Sequence, residues 1–205
     1  MVLKIVQAGH PVLRHIARPL TPEQIVSPAV RDLVERMRDT MRDAPGVGLA
    51  APQVGEPLQI AVIEDPADYH RGIPQAILDE RDRRHVEFHV LFNPRLTILA
   101  AAPAESPPES PAEFFEGCLS VSGFAAVVPR ARRVRVEALD AAARPITIEA
   151  EGWYARILQH EIDHLNGTLY VDRMLSRTFT TDDNADRWYA GRPIADTIAV
   201  LDAHR

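Results

Sequence analysis

Gln159-His160-Glu161-Ile162-Asp163-His164 carries the pattern H-E-x-x-H. On a helix of about 3.6 residues per turn, His160 and His164 lie one turn apart on one face, where two imidazoles can grip a single metal ion. Glu161, beside the first of them, can reach a water on that ion. The flanks predict the helix. Trp153, Ile157, Leu158, Ile162 and Leu165 recur at mostly helical spacing, and Asn166-Gly167 is a C-terminal stop. Chance alone places such a pattern in a chain of this size on the order of a few per cent of the time, so a third ligand is needed to make it specific.

The single cysteine sits upstream, in Glu116-Gly117-Cys118-Leu119-Ser120. A lone cysteine is most often a small buried hydrophobe. Placed between Gly and Leu in a chain that already holds a two-histidine clamp, a Cys118 thiolate would complete a three-ligand site and leave one position for water. Further upstream, Gly46-Val47-Gly48-Leu49-Ala50-Ala51-Pro52-Gln53-Val54-Gly55 is built of small residues around one glutamine. It is not a phosphate loop, because G-x-G-x-x-G fails at Ala51 and no lysine follows. Two readings stay open: a tight turn of small residues, or a close backbone approach to some other group with one amide held ready.

The remaining chain predicts an ordinary mixture of elements. His10 and His15 read as surface or capping groups. Ser27-Pro28 opens a helix whose buried stripe is Val30, Leu33, Val34, Met37 and Met41. Leu58 to Glu64 reads as a buried strand, and Asp65 to Glu87 as a charged surface excursion with solvated His70, His85 and His89. Val90 to Leu99 reads as a strand broken at Asn93-Pro94, an edge or a bulge. Ala100 to Ala112 reads as a Pro- and Ala-rich loop. Arg133 to Leu139 alternates as a half-buried strand, with Ile146, Ile148 and Ala150 as its antiparallel partner and the arginines on the solvated face. Thr168 to Val171 reads as a short strand. Ile194, Ile198 and Leu201 predict a last amphipathic helix.

Composition narrows the class. The 205 residues are 46% hydrophobic and 25% charged, which suits one globular domain with a full core. A net charge of −6 supplies no broad basic surface for nucleic acid. No apolar run approaches the length of a membrane span, one cysteine excludes an internal disulfide framework, and the N-terminus has neither a signal-peptide core nor an Arg/Ser-rich transit composition. A cytoplasmic location is expected.

The three blocks, in this order, resemble the peptide deformylase family, marked by G-x-G-x-A-A-x-Q, E-G-C-x-S and H-E-x-x-H. They stand here as Gly46 to Gln53, Glu116 to Ser120 and His160 to His164. Similarity extends through Gly9 to Arg14 and Asn166 to Tyr170, covering about residues 3 to 174. Gly123-Phe124 to Arg130 and Gly152-Trp153 look closer to the branch that includes organellar forms. The resemblance implies an α+β fold with antiparallel sheets packed around the helix of the two histidines. It implies a catalytic domain over residues 1–175 and a tail over 176–205, packed on that domain or extending from it. The implied activity is hydrolysis of the N-formyl group from the formyl-methionine of nascent proteins, releasing formate. Cys118, His160 and His164 would bind a divalent metal, in the family usually Fe(II), with Ni(II), Co(II) or Zn(II) able to substitute. Glu161 would take a proton from water and deliver it to the departing amine. The Gln53 side chain and the Leu119 N–H would stabilise charge on the formyl oxygen. The peptide would pair with Val47-Gly48 and Gly117 like an added strand, its methionine in a pocket of Val47, Trp153 and Ile157. Glu116 and Arg130 would pair in support.

Three departures qualify the likeness. Ser122 stands where many members have Pro, and Ala125 where some bacterial members have a peptide-contacting Arg. The tail carries Asp182, Asp183, Asp186, Asp196 and Asp202 in place of the basic helix that some members dock on the ribosome. A transient ribosome contact is the remaining partner expectation besides formyl-methionyl peptides. Two rivals stand beside the deformylase reading. One is a zinc metalloprotease, which would take a third ligand downstream, with Asp172 and His204 as candidates. The other is an inactive metal-binding or ribosome-associated module.

Overall fold

Residues Gly152–Leu165 form one helix, and from Ala155 onward every residue in it except His160 is buried. A helix buried all round belongs in the middle of a fold, with the rest of the chain wrapped about it. The computed structural model describes residues 1–99 and 110–202. In chain order the elements are α1 (Pro22–Ile25), α2 (Pro28–Asp43), β1 (Gly48–Ala50), β2 (Ile60–Asp65), α3 (Gln75–Glu80), β3 (Val86–Ile98), β4 (Ala112–Cys118), β5 (Val121–Arg130), β6 (Arg133–Leu139), β7 (Pro145–Glu151), α4 (Gly152–Leu165), β8 (Thr180–Thr181), α5 (Asp182–Tyr189) and α6 (Ile194–Asp202).

The strands form two sheets with antiparallel pairing, ordered β1-β2-β3-β6-β7 and β4-β5-β8. Ile157, Leu158 and Ile162 of α4 pack against Ile63, Leu91, Val134 and Val136 of the larger sheet. Each such side chain contributes about 1.5–3 kcal/mol when fully buried. On the other face Met37 and Met41 of α2, both fully buried, pack with Leu49, Ile60, Val62 and Phe92. Helix α2 begins where the Ser27 side chain accepts the Val30 N–H, at the expected cap.

Several expectations are met. The β6–β7 hairpin pairs Val134 with Ala150 and Val136 with Ile148, and the exposed Arg135 bonds Glu149 on its solvated face. His10 caps a short turn, its Nδ1 accepting the Val12 N–H at 3.3 Å. Helix α6 forms where Ile194, Ile198 and Leu201 predict it.

Others are corrected. Of the two readings of Asn93-Pro94 the bulge holds and the edge does not: the register shifts between Phe92 and Arg95, and β3 lies inside the sheet. Asn93 takes a φ of 51°, and its side chain fastens both the N–H and the carbonyl of Leu20. The segment from Asp65 onward stays at the surface, with His85 exposed as expected, but it is anchored rather than freely solvated. Asp65 is fully buried and grips Arg83 through two 2.8 Å hydrogen bonds, folding α3 back onto the sheet. His70 and His89 are half-buried; His70 lies 3.3 Å from Asp65, and His89 Nε2 lies 2.9 Å from the Tyr154 hydroxyl. Thr168 to Val171 does not form a strand. Tyr170–Asp172 is a 3-10 turn, because the Asp172 carboxylate captures the Leu169 N–H and also pairs with Arg14. The loop expected over Ala100 to Ala112 lies outside the described residues except at its end, where Ala112 begins β4. Helix α5 was not anticipated: only Trp188 and Tyr189 are large apolar residues within it, and the Thr181 cap is the signal that marks it.

Candidate metal centre and its cleft

Helix α4 and the end of β4 meet at three potential ligands. His160 and His164 stand one turn apart with ring centroids separated by 5.0 Å. Cys118 is placed by a bulge between Gly117 and Cys118 at the tip of the β4–β5 hairpin. Its Sγ lies 3.2 Å from His164 Nε2. The donor atoms of Cys118, His160 and His164 all fall within 4.8 Å of one another, and among the described residues this is the one such group of three. The donor set suits a divalent ion. Burial drives the His164 pKa down, leaving a neutral imidazole. At His160 burial also opposes charge, but Cys118 and Glu116 outweigh it and push the pKa up, which reports concentrated negative charge. The nearness of two imidazoles and a thiol in a buried site is what a metal ion would reconcile.

A buried ionic network orients this centre. His160 Nδ1 lies 3.0 Å from Glu116 Oε2, leaving Nε2 for a metal. Arg130 donates to both Glu116 oxygens at 2.9 Å, and Arg156 Nη1 donates to Oε1 at 2.6 Å. Arg130 also bonds Asp163, which Arg173 holds from the other side at 2.6 and 2.7 Å. Burial would raise the Glu116 pKa, but the bonds from Arg130 and His160 hold it well below the usual carboxylate range. Desolvation lowers Arg156 to about 10. The expected Glu116–Arg130 pair is present, whereas Arg156, Asp163 and Arg173 were missed. A signal existed: Arg156, His160 and Asp163 recur at four and three residues on one face of an otherwise apolar helix.

Glu161 points away from the network. It is 4% exposed, and desolvation pushes its pKa up to about 7. A Cβ on Gly48 would collide with the Glu161 carboxylate, so the backbone of the small-residue stretch approaches that side chain closely. That stretch is a close approach as well as a turn. Gln53, 2% exposed, accepts the Ala50 N–H at 2.8 Å through Oε1, so its amide N–H2 faces Cys118 Sγ at 3.5 Å and Ser120 Oγ at 3.4 Å. Leu119 occupies the hairpin turn. Gln7, another residue the sequence did not single out, donates to the Leu119 carbonyl and accepts the Ser122 N–H.

A cleft of about 630 Å³ opens over the centre. Val47, Gly48, Gln53, Glu116, Gly117, Cys118, Leu119, Trp153, Ile157, His160 and Glu161 all line it. His164, 1% exposed, closes its floor from behind, and Arg130 reaches it only through Glu116. A second cavity of about 710 Å³ lies beside Asn93, Pro94 and Asp163; no Cys or His lines it, so the chemistry belongs to the first. Strands β1 and β4 are both edge strands of their sheets, and Gly48 and Gly117 face the same cleft.

The family model for polypeptide deformylase matches residues 2–179. The chain belongs to this family. It is 47% identical over 182 residues to peptide deformylase 1A, chloroplastic, of Solanum lycopersicum, covering 89% of this chain and 63% of that protein. It is 47% identical over 192 residues to peptide deformylase 3 of Streptomyces avermitilis, covering 93% and 80%. The chain thus spans just under two thirds of the plant relative and most of the bacterial one. A solved class I type b peptide deformylase from Acinetobacter baumannii, bound to Met-Ala-Ser, superposes with a TM-score of 0.70 at 31% identity, over 85% of this chain and 99% of that one. Deformylases are metal-dependent, in keeping with the Cys-His-His group. Asp172, the downstream ligand of the protease reading, is engaged by Arg14 and Leu169 outside this group, and His204 lies outside the described residues. No helix among the described residues is long and apolar enough to cross a membrane.

Proposed function

We propose that this chain removes the N-formyl group from formyl-methionyl peptides by hydrolysis, releasing formate. One observation carries the reading: a Cys-His-His donor set and a buried carboxylate of raised pKa share a cleft bounded by two strand edges. Cys118, His160 and His164 would hold a divalent ion, Fe(II) by resemblance, with Ni(II), Co(II) or Zn(II) as substitutes. Bound there, the ion supplies Lewis acidity toward water and toward a carbonyl oxygen. Glu161 takes a proton from the attacking water and returns it to the departing amine, and its burial, which favours the protonated form, suits it to hold the proton between the two transfers. Gln53 presents an N–H2 already oriented by its bond to Ala50, and with the Leu119 N–H it meets charge developing on the formyl oxygen. The peptide extends between Val47-Gly48 and Gly117 as an added strand, and Val47, Trp153 and Ile157 receive the methionine side chain.

Residues 1–175 form the catalytic unit in this reading. The tail of 176–205 begins against it, where β8 pairs with β5. Its substrates arise on ribosomes, so the encounter is transient and cytoplasmic, without a basic docking helix. The test is formate release from formyl-Met-Ala-Ser by anaerobically purified protein of measured metal content, with unformylated Met-Ala-Ser beside it. Formate from the first and no cleavage of the second is expected. A metal-replete protein that releases none, or that cleaves the unformylated peptide equally, overturns the reading.

A further inference from the structure

Five carboxylate or guanidinium side chains line the cleft: Arg83, Glu116, Arg156, Glu161 and Asp182. Asp65 neutralises Arg83 through two 2.8 Å bonds, and Arg156 and Glu116 neutralise one another at 2.6 Å. Glu161 belongs to the metal centre. Outside that centre, Asp182 is the one of the five without a side-chain counter-charge: it opens α5, its carboxylate makes no hydrogen bond or ion pair among the described residues, and the side-chain charges felt there are those of Asp186 and Asp183. Partial burial first, and then those two carboxylates, push its pKa upward, the direction expected of an uncompensated acid.

Its position is set by the chain. Thr180 and Thr181 pair with Ala125 and Phe124, so Asp182 emerges at the end of the cleft bordered by Ser122, Gly123 and Phe124. Trp153 and Ile157, the proposed methionine pocket, line the same cleft. Phe124, which lines the cleft, stacks on Phe179 with centroids 5.0 Å apart and planes 7° from parallel, an exposed aromatic pair at the β5–β8 junction that leads into Asp182. An aliphatic stem lying on an aromatic wall with its cationic head at a carboxylate is how a lysine or arginine side chain is accommodated. An acidic side chain there would face the Asp182 carboxylate without compensation.

We propose that Asp182 is a specificity-determining residue, favouring formyl-methionyl peptides with Lys or Arg in the residues after methionine over those with Glu or Asp. The inference rests on the deformylase reading, and the experiment separates the two. Lys, Ser or Glu is placed in turn at the second, third and fourth positions of a formyl-Met peptide with Ala elsewhere, and kcat/KM for formate release is measured at low and high salt. In parallel, the affinity of the metal-loaded protein for the unformylated Met-Ala-Lys and Met-Ala-Glu products is measured, which needs no turnover. At one or more positions Lys should exceed Glu by about fivefold, a preference that falls toward unity as salt screens the exposed charge. Asp182→Asn should abolish the preference, and Asp182→Lys should invert it. A Lys-to-Glu ratio of one at every position, or a ratio unchanged by Asp182→Asn, overturns the proposal. Absence of formate with the product preference intact removes the deformylase reading and leaves Asp182 as the selector of the peptide.

Discussion

Glu161 is held by its surroundings more than by its neighbours in sequence. Gly48 leaves room for its carboxylate, burial raises its pKa to about 7, and the Cys-His-His set already supplies three donors without it. Glu161→Gln is therefore expected to keep the fold, the metal and the affinity for peptide while losing about 10²- to 10⁴-fold in rate. Metal content, peptide affinity and kcat on one preparation check this; a metal-replete variant working near the wild-type rate would sink the proton-transfer role. Loss of metal would instead make Glu161 a ligand. Gly48→Ala tests the space itself. The added methyl displaces Glu161 or the β1 edge, so kcat should fall about tenfold or more, with a stability loss of about 1–3 kcal/mol. Wild-type values of both would show that Gly48 is merely a turn residue.

At the scale of elements, one guanidinium joins three of them. Arg130, on β5, bonds Glu116 on β4 and Asp163 on α4, and Glu116 in turn sets His160. Replacing Arg130 with Met leaves two buried carboxylates short of a partner. The expected cost is about 3–5 kcal/mol, read from the urea midpoint, together with weaker metal retention because His160 loses its oriented neighbour. A variant of wild-type stability and metal content would mean that Arg156 and Arg173 suffice. The β6–β7 hairpin and α2 were legible because hydrophobic period and cap chemistry act locally. At Asn93-Pro94 the sequence marked the break but left an edge and a bulge open. The bulge is decided by the link to Leu20, more than seventy residues away in the chain.

Over the whole molecule, the metal would couple the two halves of the site. Cys118 belongs to the smaller sheet, while His160 and His164 sit on the helix packed against the larger one. An ion that binds only the folded chain adds about 4 kcal/mol when present at a thousand times its Kd. Chelation is expected to lower the melting temperature, metal addition to restore it, and Cys118→Ser to shrink the shift along with metal retention after dialysis. An unchanged melting temperature on full metal removal would show that the site does not brace the fold, and full occupancy in Cys118→Ser would remove Cys118 from the ligand set.

What the sequence determined by itself is the chemistry. The helix, the two imidazoles one turn apart, the carboxylate between them, and the distant Cys and Gln blocks were all readable, because ligand spacing and residue type are properties of the chain. The tertiary structure alone decided which buried charges answer one another. It drew Arg156, Asp163 and Arg173 around Glu116 and Arg130, turned Asp65 inward onto Arg83, and brought the acidic start of α5 to the cleft. Those choices depend on desolvation and on contacts between residues far apart in sequence: the spacing of Arg156, His160 and Asp163 marks a shared helix face, but which partners on β4 and β5 answer them is set only when the strands pack against that face.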